Sequence, residues 1–217
     1  TEESIVDNIF IRPGMRVLFQ GDSVTDAGRD RARPDHLGSG YPQFVAGWFT
    51  LGHPTANVTF VNRGVSGDRL CDLLARWTAD AVELRPDVIS ILIGINDVWN
   101  RYRGREATPH DAFEQDLCTL LSRTREETDA QIVLLEPFVL PVPDDRKAWR
   151  EDLEPKLEIL RSLSDRFDAV LVPLDQVFAE VSASGDPAVW AADGVHPTPA
   201  GHAQIARVWL DRVSFKS

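Results

Sequence analysis

Cysteine, methionine and lysine are scarce in this chain, and no apolar run in it is long. The 217 residues include two cysteines, one methionine and five histidines. Two cysteines are too few for a disulfide framework. Cys71 and Cys118 both fall in helix-like segments, where buried free thiols are expected. No Cys/His spacing of the zinc type occurs, and no cofactor is indicated. No apolar stretch reaches the roughly 20 residues a bilayer crossing needs, so no membrane partner is expected. The opening Thr1-Glu2-Glu3-Ser4 carries no apolar signal core, which suggests a cytoplasmic protein, although a secreted form with its leader removed would read the same. Positive charge is short too. The 23 basic residues face 34 acidic ones, for a net charge of −11 with no Lys/Arg block, which argues against a nucleic-acid partner.

What is present is ordinary for a globular chain: 43% hydrophobic and 26% charged residues, enough to bury a full core. With no internal repeat, low-complexity tract or linker, residues 1–217 read as one domain.

Apolar runs of strand type alternate with helical spacing. Strands are expected at 15–19, 58–61, 87–93, 131–135 and 169–172. The run at 87–93 is almost continuously apolar, as a central parallel strand buried on both faces should be. Helices are expected at 41–51, at 70–84 (Leu70, Leu73, Leu74, Trp77 and Ala81 on one face) and from Thr108-Pro109 to about 128. Three more follow: one bearing Leu153, Leu157, Leu160 and Leu163, a short one from Asp175, and a last from Thr198-Pro199 to near Val213. Trp48 and Trp77 lie on apolar helical faces and are expected in the core. The stretch 27–40 is a long loop and a candidate for binding. The alternation predicts an α/β fold with a five-stranded parallel sheet covered by helices on both faces.

Three strand ends deliver polar, glycine-containing loops: Gly21-Asp22-Ser23, Asn62 to Asp68, and Gly94-Ile95-Asn96-Asp97. Parallel strands place all three on one rim of the sheet, where open α/β sheets bind ligands. A fourth element, Asp193-Gly194-Val195-His196-Pro197, brings a carboxylate and an imidazole together just before the last helix. Read alone, Gly-Asp-Ser is more readily a helix cap or turn than a nucleophile. Read together, the four supply acyl-transfer chemistry. Ser23 attacks, His196 takes its proton, and Asp193 orients and charge-balances the imidazole. Backbone N–H groups of Ser23 and Gly67 and the Asn96 amide form an oxyanion hole. Asp22 and Asp97 read as loop-organising acceptors. Asp22, Trp99 and Tyr102 are candidate substrate contacts, with packing an equal role for the two aromatics. His36 is a candidate to line the site, and His202 reads as an ordinary, partly exposed histidine.

These blocks resemble the SGNH (GDSL-type) hydrolases, whose name lists the Ser, Gly, Asn and His of four blocks. Here they are Ser23, Gly67, Asn96 and His196, in order and spanning almost the whole chain. Val24 stands where the family has leucine. The resemblance implies a flavodoxin-like three-layer fold and metal-free ester hydrolysis. Gly94 to Trp99, Gly38 to Tyr41 and Arg76-Trp77 further resemble the bacterial acetylxylan esterase branch, implying a small ester such as an acetylated oligosaccharide as substrate. Some members of that branch form homo-oligomers. Other members of the family act on lipid or thioester substrates, as a lipase- or thioesterase-type acylhydrolase would. Two further readings are weighed. A two-metal phosphatase would draw on Asp22, Asp68 and Asn96 but lacks histidines beside them. A non-catalytic flavodoxin-like binding module would use the same rim without needing Ser23.

Overall fold

A computed structural model describes residues 8–216, so the acidic Thr1–Ser4 stretch lies outside it. Its strands are β1 (Ile9–Ile11), β2 (Arg16–Gly21), β3 (Thr59–Asn62), β4 (Val88–Leu92), β5 (Gln131–Leu135), β6 (Val170–Val172) and β7 (Val213–Phe215). Its helices are α1 (Ser23–Asp26), α2 (Tyr41–Gly52), α3 (Leu70–Ala75), α4 (Trp77–Asp80), α5 (Ile95–Tyr102), α6 (His110–Glu127), α7 (Arg150–Arg166), α8 (Leu174–Ser182) and α9 (Pro199–Leu210).

Five strands form one wholly parallel sheet in the order β3-β2-β4-β5-β6. The first of them pairs with the second on one side and the third on the other, as in flavodoxin-like sheets. The chain therefore switches direction across β2 and β4, opening a crevice beyond their carboxyl ends. The period-two alternation of strand side chains assigns the two faces. Val17, Phe19, Val88, Leu92, Val133 and Leu135 pack with Tyr41, Val45 and Phe49 of α2, Phe178 of α8 and Ile205 and Trp209 of α9. Leu18, Ile89, Ile91, Ile132 and Leu134 pack the other way, against Leu70, Leu73, Trp77, Phe113, Leu117, Leu120 and Leu160. Ser90, a polar residue in the most buried strand, is tolerated because Trp209 Nε1 donates to its hydroxyl at 3.0 Å.

All five expected strands are present, and Thr198 caps α9 by accepting from Gly201 N at 3.2 Å. Several details differ. The expected helix over 70–84 is α3, α4 and a 3₁₀ turn (Val82–Leu84), broken at Arg76 (φ −103°, ψ 7°) and Ala81 (φ −131°, ψ −65°). The last helix stops at Leu210, and β7 pairs in parallel with β1 in a separate two-stranded ribbon. The helix expected from Thr108-Pro109 has Pro109 as its cap. Trp48 is 42% exposed on the outer face of α2, because α2 turns Tyr41, Val45 and Phe49 inward. Cys71 and Cys118 are free thiols, half-buried rather than buried. No helix among the described residues is long and apolar enough to cross a membrane.

Candidate active site

The nucleophile candidate stands at the switch point. β2 ends at Gly21, in register with Leu92 of β4. A Cβ at Gly21 (φ +154°) would collide with the Leu92 carbonyl and Thr25 Oγ1, so the chain can turn here only without a side chain. Asp22 caps α1: its Oδ1 accepts from Val24 N at 3.0 Å. The cap is thus Asp22, and the Ser23 hydroxyl is left for other work. It lies 2.9 Å from His196 Nε2.

His196 is held from behind. Its Nδ1 is 2.7 Å from Asp193 Oδ2, while Asp193 Oδ1 accepts from His196 N at 2.8 Å and Val195 N at 3.0 Å. Partial burial pushes the Asp193 carboxyl up. The hydrogen bonds from the His196 ring and from the two backbone N–H groups outweigh it and hold the carboxyl below its ordinary value. A carboxylate at Nδ1 selects the tautomer with its proton there, leaving Nε2 to accept from Ser23. Both side chains remain partly open to solvent.

The turn carrying this pair is braced by the proline-rich loop after β5. Leu140 N donates to the Gly194 carbonyl at 2.8 Å. A Cβ at Gly194 (φ +82°) would run into the Leu140 and Val142 carbonyls. Arg146 Nε donates to the Asp193 carbonyl at 3.3 Å, and its guanidinium lies 4.2 Å over the Trp149 ring. Sequence reading assigned Arg146 no role; its only trace there was an Arg in a Pro/Asp-rich loop. A cavity of about 350 Å³ opens beside this brace, lined by Phe138, Leu140, Arg146, Arg150 and Ala179 among others, with neither Ser23 nor His196 in its wall.

The second and third blocks meet at Asp68. Asp68 N donates to the Val65 carbonyl at 3.1 Å, closing a turn with Gly67 (φ +92°) at its third position. Asn96, in the first turn of α5, donates from Nδ2 to the Asp68 carbonyl at 3.0 Å. Ser66 N and Oγ both donate to Asp26 at the end of α1, each at 3.0 Å. Buried Asn62, also without an assigned role, donates to the Thr25 and Leu37 carbonyls and accepts from Gly64 N. Asn62 thereby ties the long 27–40 loop to the end of β3.

The remaining candidates all make structural contacts. Asp22 is only 1% exposed, and burial pushes its carboxyl up to about 7, with Asp97 and Asp68 adding to the rise. It caps the helix that begins at Ser23 and offers almost no surface to a substrate. Asp97, also buried, accepts from Leu70 N at 3.0 Å, and burial raises its carboxyl to about 6. The Trp99 ring is buried, packed at 5.5 Å from the His196 ring and covered by the Arg103 guanidinium at 3.8 Å. Tyr102 stacks on Trp149 and donates its hydroxyl to the Ala148 carbonyl at 2.6 Å. Trp99 is thus closed off, while Tyr102 is half-buried with one face on Trp149. His36 Nδ1 accepts from Asp30 N at 2.8 Å, folding the 27–40 loop on itself. His202, expected to be partly exposed, is buried: its Nδ1 accepts from Tyr41 N at 3.1 Å, and burial lowers it to about 4.

A serine, an imidazole and a carboxylate are thus linked in series on the rim of a parallel sheet, an arrangement that can carry out acyl transfer. Residues 19–204 match the GDSL-like Lipase/Acylhydrolase family. The chain belongs to that family and is a carboxylic ester hydrolase. It is 33% identical to an acetylxylan esterase of Geobacillus stearothermophilus, over 95% of this chain and 97% of the relative. The crystal structure of a catalytic mutant of an acetylxylan esterase from that organism superposes with a TM-score of 0.86 at 32% identity, covering 93% of this chain and 95% of the other. A protein described as a GDSL-like lipase from Parabacteroides merdae superposes with a TM-score of 0.87 at 35% identity, covering 94% and 98%. The acetylxylan esterase has been crystallised as catalytic mutants in which a serine, an aspartate or a histidine is replaced by alanine.

Proposed function

We propose that this protein is a serine esterase that removes acetyl groups from carbohydrate hydroxyls, those of xylo-oligosaccharides foremost, through an acyl-enzyme on Ser23. The observation that carries the reading is the unbroken relay from Ser23 Oγ to His196 Nε2 (2.9 Å) and from His196 Nδ1 to Asp193 Oδ2 (2.7 Å). The relative's name, acetylxylan esterase, supports the substrate class. The 27–40 loop, polar and rich in arginine, suits a short acyl group on a polar alcohol better than a lipid chain.

The proposed steps use this relay. Ser23 Oγ attacks the ester carbonyl as its proton passes to His196 Nε2, and Asp193 balances the imidazolium that forms. The carbonyl oxygen becomes an anion that the Ser23 and Gly67 N–H groups and the free N–H of the Asn96 amide receive. Each such donor is worth about 3–4 kcal/mol of barrier. His196 returns the proton to the departing sugar oxygen. A water, deprotonated by the same nitrogen, then releases acetate and restores Ser23.

Hydrolysis of aryl acetate and aryl octanoate by the wild type and by Ser23→Ala, in chelator, tests this reading. Activity on acetate that survives chelator and falls by at least about 10³-fold in Ser23→Ala is the expected result. Full activity in Ser23→Ala would overturn the mechanism. A preference for octanoate would keep Ser23 as nucleophile and replace the carbohydrate ester with a lipid or thioester. Acetylated xylo-oligosaccharides then test the alcohol.

A further inference from the structure

Where α3 gives way to α4, the Arg76 side chain turns back beneath the catalytic rim, 18% exposed. Its Nε donates to Asp68 Oδ2 at 2.7 Å and its Nη2 to the Gly21 carbonyl at 3.2 Å. Its Nη1 lies 2.9 Å from Gln20 Oε1, 2.8 Å from the Arg63 carbonyl and 3.1 Å from Asp80 Oδ2. Gly21 directly precedes Asp22-Ser23, and Arg63 and Asp68 flank the Gly67 turn. The Gly21 carbonyl also accepts from Val65 N at 2.9 Å, so the nucleophile's strand and the Gly67 turn are joined twice.

Asp68 is the joint between Arg76 and the third block. Its carboxylate takes the guanidinium, and its carbonyl takes one N–H of Asn96 at 3.0 Å. The two N–H bonds of a planar amide diverge at a fixed angle. Committing one to Asp68 therefore sets the direction of the other.

We propose that Arg76 is a positioning residue for ester hydrolysis: by locking the Asp68 turn to the end of β2, it aims the Ser23, Gly67 and Asn96 donors at one point. This rests on the serine-esterase reading above. Arg76 touches no substrate. Its effect passes through donors whose value depends on being pre-aimed at charge that develops only in the transition state. Such interactions appear in kcat rather than in KM. Lysine cannot replace it, since one ammonium lacks the planar fork that reaches Asp68 and Gly21 together.

The test is steady-state hydrolysis of an aryl acetate by Arg76→Lys, Arg76→Gly and Asp68→Asn, with thermal unfolding of each. Both Arg76 variants should lose about 10²-fold in kcat with KM changed less than about threefold, since displacing an aligned group by about 1 Å costs that much. Millimolar methylguanidinium should restore about tenfold in Arg76→Gly and do nothing for the wild type or Arg76→Lys. Asp68→Asn leaves the helix break and the carbonyl to Asn96 intact, and it should lose about tenfold in kcat; it carries the test if the Arg76 variants do not fold. Folded Arg76 variants with unchanged kcat, a rise confined to KM, or a fully active Asp68→Asn would overturn the proposal. A wild type inactive on every ester would overturn the esterase reading, and this inference with it.

Discussion

Ser23 is free for chemistry because its neighbour does the capping. Alone, Gly-Asp-Ser reads more readily as a cap or turn than as a nucleophile; the cap falls to Asp22, which leaves the Ser23 hydroxyl to pair with His196 Nε2. Capping with a buried acid has a cost that depends on pH. The native protein holds the Asp22 proton up to about pH 7, while the unfolded chain releases it near 3.8. In between, the native state binds more protons, so this group's contribution to stability falls as pH rises through that window. Asp22→Asn keeps an acceptor for Val24 N and removes the ionisation. It should be more stable than the wild type at pH 8, by on the order of 1–3 kcal/mol, and indistinguishable from it near pH 4. Urea midpoints at the two pH values check this, and a less stable Asn variant at pH 8 would contradict it. At the other end of the relay, Asp193→Asn should cost at least about 10²-fold in kcat with little change in melting temperature, because it leaves the imidazole without its counter-charge.

At the scale of the element, the strand ends matter more than the strands. β2 and β4 approach so closely that Gly21 has the Leu92 carbonyl where its Cβ would be. That carbonyl cannot move without parting two central strands. Gly21→Ala should therefore destabilise by about 2–5 kcal/mol, combining overpacking with a strained positive φ. Chemical denaturation measures it, and a neutral result would mean the strand end is softer than its packing suggests. The strands themselves were legible because a parallel strand buried on both faces is written in apolar residues, as in Val88 to Leu92. The helix over 70–84 was legible only in part. Leu70, Leu73 and Trp77 do face the core as spaced, but nothing local marks Arg76 as a break, since its partners lie up to 56 residues away at Gln20. The β1–β7 ribbon escaped reading for the same reason. Its strands are three residues each, and Ile9 pairs with Val213 from the opposite end of the chain.

For the whole molecule, buried titratable groups pull stability in opposite directions. Asp22 and Asp97, held protonated by burial to about 7 and about 6, make the fold less stable as pH rises from about 4 to 7. His202 does the reverse. Buried against Tyr41 N and lowered to about 4, it resists a proton that the unfolded chain accepts near 6.5, so its contribution is present above 6.5 and is lost as pH falls towards 4. The slopes partly cancel in the wild type. In His202→Asn, which keeps an acceptor for Tyr41 N, the denaturation midpoint should climb steadily from pH 7 to pH 4. A midpoint that still fell over that range would show that other groups govern acid stability. Sequence by itself determined the parallel α/β plan, the four blocks and the Ser23, His196 and Asp193 candidates, because apolar period and short spacing are local properties of the chain. Tertiary structure decided that Asp22 caps, that Trp99 and Tyr102 pack, that His202 is buried and that Arg76 reaches the rim. Burial and long-range hydrogen bonding are set by which distant segments meet, and no window of neighbouring residues contains that information.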